Sequence, residues 1–169
     1  MRRLEVGSPV ARLGSFPTLG ELVGSRVHAA LVPVRDGLAQ LHPEERAQVE
    51  RAVRARQREF ATGRRYARVL LRQLGCADAP LLRGVDRLPV WPEDVVGSIS
   101  HTRAVCAVGV ARRGEVTALG LDVEDDADLE RNLWPEICTA DELRWLDGQR
   151  AADRGRLARL HFSAKECVH

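Results

Sequence analysis

At 169 residues, with 44% hydrophobic and 30% charged side chains, the chain can bury one sizeable core and falls outside the disordered and low-complexity classes. A formal net charge of +2, only 4% aromatic residues and no stacking motif give nucleic-acid binding little support. Four widely spaced cysteines (76, 106, 138, 167) exclude a Cys-x-x-Cys zinc site and a disulfide framework.

Residues 1–24 carry Gly, Ser and Pro without periodicity and read as a loosely structured lead-in, with no apolar run suited to a signal peptide. No stretch approaches the roughly 20 apolar residues of a membrane helix, so a cytoplasmic protein is expected. Val27–Val34 predicts a buried strand, with Pro33 marking an edge or an end. Pro43 opens a long helical pattern whose first turn holds Glu44 and Glu45, where carboxylates complement the helix dipole. Val49, Val53, Phe60, Ala67, Leu70, Leu71 and Leu74 recur near helical spacing up to a stop at Gly75. Gly63 inside that pattern marks a break between two helices or a close contact.

Residues 76–94 read as loop. Strands are expected around Val95–Ile99, Val105–Ala111 and Val116–Glu124, with Arg112-Arg113-Gly114 as a hairpin turn between the last two. The remainder is helical. Thr139 and Glu142 form a capping box, and a final amphipathic stretch from about Arg156 places Leu157, Leu160, Ala164 and Val168 on one stripe.

Four groups of residues could carry chemistry. Between Pro43 and Gly75, nine arginines stand against four glutamates, a local net of +5 that suits an anionic ligand. The plain alternative is arginine stems covering apolar surface. In Leu119–Glu124 the strand period sends Gly120, Asp122 and Glu124 to one face, where two carboxylates beside a glycine leave room for a hard cation and a bulky ligand. The alternative is a solvated strand face. Glu166, on the last helix, can bring a third carboxylate to that face. Its neighbour Lys165, the chain's one lysine, points about 100° away around the axis; a surface Lys-Glu pair is the competing account. Ser98, Ser100, His101 and Thr102 concentrate hydrogen-bond donors for phosphate oxygens at the end of a strand. A Ser-His hydrolase is disfavoured, because no nucleophile elbow surrounds either serine.

In order, the segments Arg56–Arg64 (RQREFATGR), Pro89–Pro92 (PVWP), Val96–His101 (VGSISH), Gly120–Glu124 (GLDVE) and Phe162–Glu166 (FSAKE) resemble the 4′-phosphopantetheinyl transferases. The resemblance is to the larger, pseudo-dimeric type, near the enterobactin synthase component D branch. It implies an α+β fold of two pseudo-twofold-related lobes, residues 1–103 and 104–169. The second lobe is expected to be incomplete, because family members continue past the Lys-Glu helix with a further lysine and strands. It also implies transfer of the 4′-phosphopantetheine arm of coenzyme A to a serine of an acyl or peptidyl carrier protein, releasing 3′,5′-ADP, with magnesium and as a monomer. By position, Asp122, Glu124 and Glu166 match the magnesium carboxylates. Glu166 and Lys165 match the catalytic pair, with Glu166 as base. Arg56, Arg64, Ser100, His101 and, less directly aligned, Arg87 match contacts to coenzyme A phosphates. Two alternatives stand beside this: a truncated remnant that binds coenzyme A without catalysis, and an arginine-rich nucleic-acid-binding module.

Overall fold

The computed structural model describes residues 24–168, so the lead-in expected over residues 1–24 lies almost wholly outside the described residues. Three antiparallel strands, β1 (His28–Pro33), β2 (Val95–His101) and β3 (Val105–Arg112), form a sheet in the order β1-β3-β2. Pro33 ends β1, which lies at a sheet edge where a missing N–H costs no ladder bond. Period two along β3 sends Cys106, Val108 and Val110 to one face and Ala107, Gly109 and Ala111 to the other.

A short helix α1 (Pro43–Ala47) precedes the long helix α2 (Arg54–Gln73), which packs on the first face of the sheet. Ala67, Leu70 and Leu71 of α2 bury themselves against Val95, Cys106, Val108 and Val110. Each of the larger side chains contributes about 1.5–3 kcal/mol by leaving water. Burial also pushes the Cys106 thiol up to about 12, so this cysteine is inert packing. The helical break lies at residues 48–53, not at Gly63, and α2 runs through Gly63 unbroken. That glycine serves the close contact instead: a Cβ there would stand 2.9 Å from Ile99 Cγ2. Five of the nine arginines already have acid partners: Arg54, Arg58, Arg68 and Arg72 pair with Asp36, Glu45 or Asp78, and Arg56 with Glu59.

The third expected strand does not form. Residues 116–124 carry no ladder. They lie on the second face of the sheet, where Leu119 and Leu121 occupy the space a side chain at Gly109 would need. Serine hydroxyls from β2 take the place of a neighbouring strand. Ser98 Oγ accepts from Leu121 N at 3.0 Å, and Ser100 Oγ accepts from Val123 N at 3.2 Å. The Arg112–Gly114 turn is present, but no strand follows it.

Three helices complete the described chain: α3 (Trp134–Ile137), α4 (Ala140–Asp147) and α5 (Arg154–Glu166). Their small core joins Leu129, Trp134, Cys138, Leu146 and Ala158. The capping box forms as the sequence predicts, with Thr139 Oγ1 accepting from Glu142 N and Glu142 Oε2 from Thr139 N. The apolar stripe of α5 lies elsewhere than expected. Ala158, Leu157 and Phe162 face α3 and α4, whereas Leu160, Ala164 and Val168 are exposed. The division expected at 103/104 falls in the turn between β2 and β3 and so runs through a single sheet. Among the described residues, no helix is long and apolar enough to cross a membrane.

Candidate active site

Candidate residues converge at the C-terminal end of β2, where alternation separates two neighbours. His101 points to the α2 face and Ser100 to the opposite face. On the α2 side, Arg56 Nη1 donates to His101 Nε2 at 2.5 Å, and His101 Nδ1 lies 3.6 Å from Glu59 Oε2. These partners assign the neutral tautomer with its proton on Nδ1. Burial, reinforced by Arg56 and opposed by Glu59, holds the His101 pKa below its ordinary value.

Arg64, two turns along α2 from Arg56, is 5% exposed and stacks over the Phe60 ring at 4.5 Å. Its Nε is buried with no hydrogen-bond partner. Desolvation brings its pKa down to about 10, against the pull of Glu45, with Arg56 and Arg83 adding to the lowering. A buried guanidinium without an acid of its own, near two more guanidiniums, is a costly arrangement that an anion would relieve. The start of α2 adds to this field, because Val53 provides no side-chain cap for the first turn.

On the other face, Ser100 Oγ donates to Asp122 Oδ1 at 2.7 Å. Asp122 Oδ2 is buried and has no partner. Asp122 and Glu124 line an open cleft of about 380 Å³ together with Asp126, Arg156, Arg159 and Ser163. Glu124 accepts from Arg159 Nη1 at 2.6 Å, while the same guanidinium donates to the carbonyls of Ala127 and Asp128. Glu166 is exposed on the last turn of α5. Among the described residues, no three metal-ligating side chains are close enough to share one ion. Asp122 nevertheless fits a hard cation: one oxygen is oriented by a hydroxyl and the other is buried and unspent. The room expected beside Gly120 is filled by protein. A Cβ there would stand 1.6 Å from the Cys167 carbonyl oxygen, so the glycine admits the end of α5, not a ligand.

Comparison with known proteins bears on this pair of half-sites. Residues 44–111 match the model of the 4′-phosphopantetheinyl transferase N-terminal domain, and residues 118–169 match that of the 4′-phosphopantetheinyl transferase superfamily. The chain belongs to the 4′-phosphopantetheinyl transferase superfamily. It is 41% identical over 143 residues to the 4′-phosphopantetheinyl transferase Svp of Streptomyces mobaraensis, covering 83% of this chain and 58% of the relative. It is 38% identical over 116 residues to PptT of Mycobacterium tuberculosis, covering 63% of this chain and 51% of the relative. Enterobactin synthase component D of Escherichia coli is 37% identical over 126 residues, with 71% of this chain and 56% of the relative covered. The chain thus spans little more than half the length of these curated relatives.

Within this transferase-family frame the structure brings together Arg56, Arg64 and His101 on one side of β2, and Ser100, Asp122 and Glu124 on the other. The other three sequence candidates do not join them: Glu166 is exposed and does not line the Asp122–Glu124 cleft, and Lys165 and Arg87 lie elsewhere. Lys165 Nζ donates to Ile137 O and Glu142 Oε2, both at 2.6 Å. Largely through that bond, the Glu142 carboxyl is held well down, at about 2. Arg87 is exposed at a tight turn with φ of +68°, where its N–H donates to Gly84 O. The residue of that loop within electrostatic reach of Arg64 is Arg83, anchored by two hydrogen bonds between its backbone and the Gln48 side chain. Sequence reasoning missed Arg83, Glu59, Arg159 and Glu142. Two of them carried a local signal: Glu59 lies one turn after Arg56, and Glu142 stands in the capping box with Thr139.

Proposed function

We propose that this chain performs 4′-phosphopantetheinyl transfer, moving the phosphopantetheine arm of coenzyme A to a serine of an acyl or peptidyl carrier protein and releasing 3′,5′-ADP. One observation carries the reading. Adjacent residues at the end of β2 reach two unmet groups: His101 bonds to Arg56, whose helix also carries Arg64 with its buried, partnerless Nε, and Ser100 bonds to Asp122, whose Oδ2 is buried and partnerless. An anion and a cation are the two ligands those groups call for, and a magnesium-bound pyrophosphate supplies both.

In this reading Arg56, Arg64 and His101 hold phosphate oxygens of coenzyme A, with Ser100 at the junction and Arg87 an outlying contact. Asp122, Glu124 and Glu166 are the magnesium ligands, with Arg159 releasing Glu124. When bound, the ion neutralises charge on the pyrophosphate. The carrier serine oxygen bonds to the β-phosphorus while the bond from that phosphorus to its bridging oxygen breaks, and the electron pair leaves with 3′,5′-ADP. Glu166 takes the serine proton. The arginines offset charge on the departing nucleotide. The chain needs no nucleophile of its own, because the partner brings it.

The test is mass spectrometry of an apo carrier protein after incubation with this chain, coenzyme A and magnesium. A phosphopantetheine adduct is expected, and it should vanish with Asp122→Ala or Glu166→Gln. An undiminished adduct with both variants would remove this site assignment. A second reading, coenzyme A binding without transfer, draws on the Arg159–Glu124 pair and the absence of a three-ligand cluster among the described residues. Calorimetric binding of coenzyme A by a chain that leaves the carrier unmodified would select it.

A further inference from the structure

Three consecutive residues close α5, and two of them are pinned. The Lys165 ammonium is held by the Ile137 carbonyl of α3 and the Glu142 carboxylate of α4. The Cys167 backbone lies against Gly120 with no room for a side chain between them. Glu166 stands exposed between these two fixings. Apolar packing does not set this turn, since Ala164 and Val168 face solvent. Without other anchors a segment of this kind frays.

Glu142 is unusually well connected for a half-exposed carboxylate. Its Oε2 accepts from Thr139 N at 2.7 Å, closing the cap of α4, and from Lys165 Nζ at 2.6 Å. Its Oε1 lies 3.5 Å from His161 Nδ1, one turn earlier on α5, and that imidazole packs edge-on against Trp145 of α4. One side chain therefore ties the start of α4 to two successive turns of α5. We propose that Glu142 is a positioning residue for Glu166: by taking the Lys165 ammonium it fixes the last turn of α5, and Lys165 anchors that turn instead of contacting substrate phosphate. The proposal deepens the transferase reading, on which the importance of Glu166 rests. To reach a phosphate, the ammonium would have to leave both a carbonyl and a charge-assisted carboxylate bond, and Glu142 would lose its cationic partner.

The test compares Glu142→Gln, Lys165→Met and the double variant in the full chain. Glutamine at this position still closes a capping box, and methionine keeps the apolar stem, so both are expected to fold. Amide exchange across residues 163–167 should speed up about threefold in each single variant and no further in the double. Unchanged exchange in Glu142→Gln, or additive effects in the double variant, overturns the tether. Metal-free coenzyme A affinity should stay within about twofold of the parent in all three, and kcat for transfer should fall equally in both single variants with KM for coenzyme A unchanged. A Lys165→Met variant that loses about tenfold in metal-free affinity, while Glu142→Gln loses none, makes Lys165 a ligand contact and overturns the proposal. If the parent chain binds no coenzyme A, the transferase reading fails, and the exchange measurement still decides the tether.

Discussion

On the α2 side of β2, Arg64 and His101 are backed by a helix and a sheet that pack a buried apolar core between them. On the other side, Asp122 is held by one serine hydroxyl, a loop strung across the sheet and the end of a helix. The first half-site is a by-product of the main core, since the same α2 that buries Ala67 and Leu71 carries Arg56 and Arg64. The second depends on individual side chain–backbone hydrogen bonds, each worth about 1 kcal/mol. The arginine side, the proposed anion site, is thus formed by the core itself, and it stores the cost of an unpaired buried cation. The carboxylate side is assembled from parts that can shift separately.

The largest expected effect breaks the rigid side. Glu45 is fully buried, pairs with Arg68 and accepts from Leu81 N at 2.9 Å. Glu45→Ala removes the close buried acid of Arg68 and leaves it only the half-exposed Asp78 at 3.7 Å, which should cost about 3–5 kcal/mol in urea unfolding. A loss below about 1 kcal/mol would mean that α1 and the loop after α2 do not brace the anion side. Next comes Gly120→Ala, whose methyl group must displace the Cys167 backbone at a cost of about 1–3 kcal/mol. Amide exchange should rise in residues 116–124 and 163–168 and stay level in β2 and β3. A rise spread evenly over both regions would contradict their independence.

The same contrast explains what was legible in the sequence. Strands β2 and β3 and helix α2 follow from apolar patterning, because each buries a face against the others and the pattern records that burial. Segment 116–124 has the same alternation, but serine hydroxyls satisfy its backbone, and a serine gives no sequence sign of which segment it will bind. The stripe of α5 was misplaced because Leu160 and Val168 match the helical period equally well, and only the location of α3 and α4 selects Ala158 and Phe162. The opposite orientation of Ser100 and His101 was implicit in strand alternation. The pairing of the α2 arginines was not, since Arg54, Arg58 and Arg68 meet acids 18 to 23 positions away. Arginine density over residues 43–75 therefore overstated the free positive charge, and burial without a partner marked out Arg64.

Arg64→Met tests that distinction directly. Removing an unpaired, desolvated charge should leave urea stability unchanged or raise it by about 1 kcal/mol, while coenzyme A affinity falls about tenfold. Equal losses of stability and affinity would make Arg64 a structural residue.

The smallest effect is set by His101 and acts only on the anion side. Its depressed pKa means that the folded chain keeps the imidazole neutral while the unfolded chain takes up a proton, so its contribution to stability is lost as pH falls from about 6.5 through the folded pKa. A bound phosphate reverses the preference, because it favours imidazolium and gives Arg56 an acceptor in place of Nε2. Binding should therefore take up a proton at His101, and affinity should gain about threefold between pH 8 and pH 6 relative to His101→Gln. Referencing to that variant cancels the titration of the ligand's own phosphate. A pH profile identical in the two proteins would place the phosphate away from His101 and leave Arg56 and Arg64 as the anion site, while the Ser100–Asp122 side should show no response to this substitution at all.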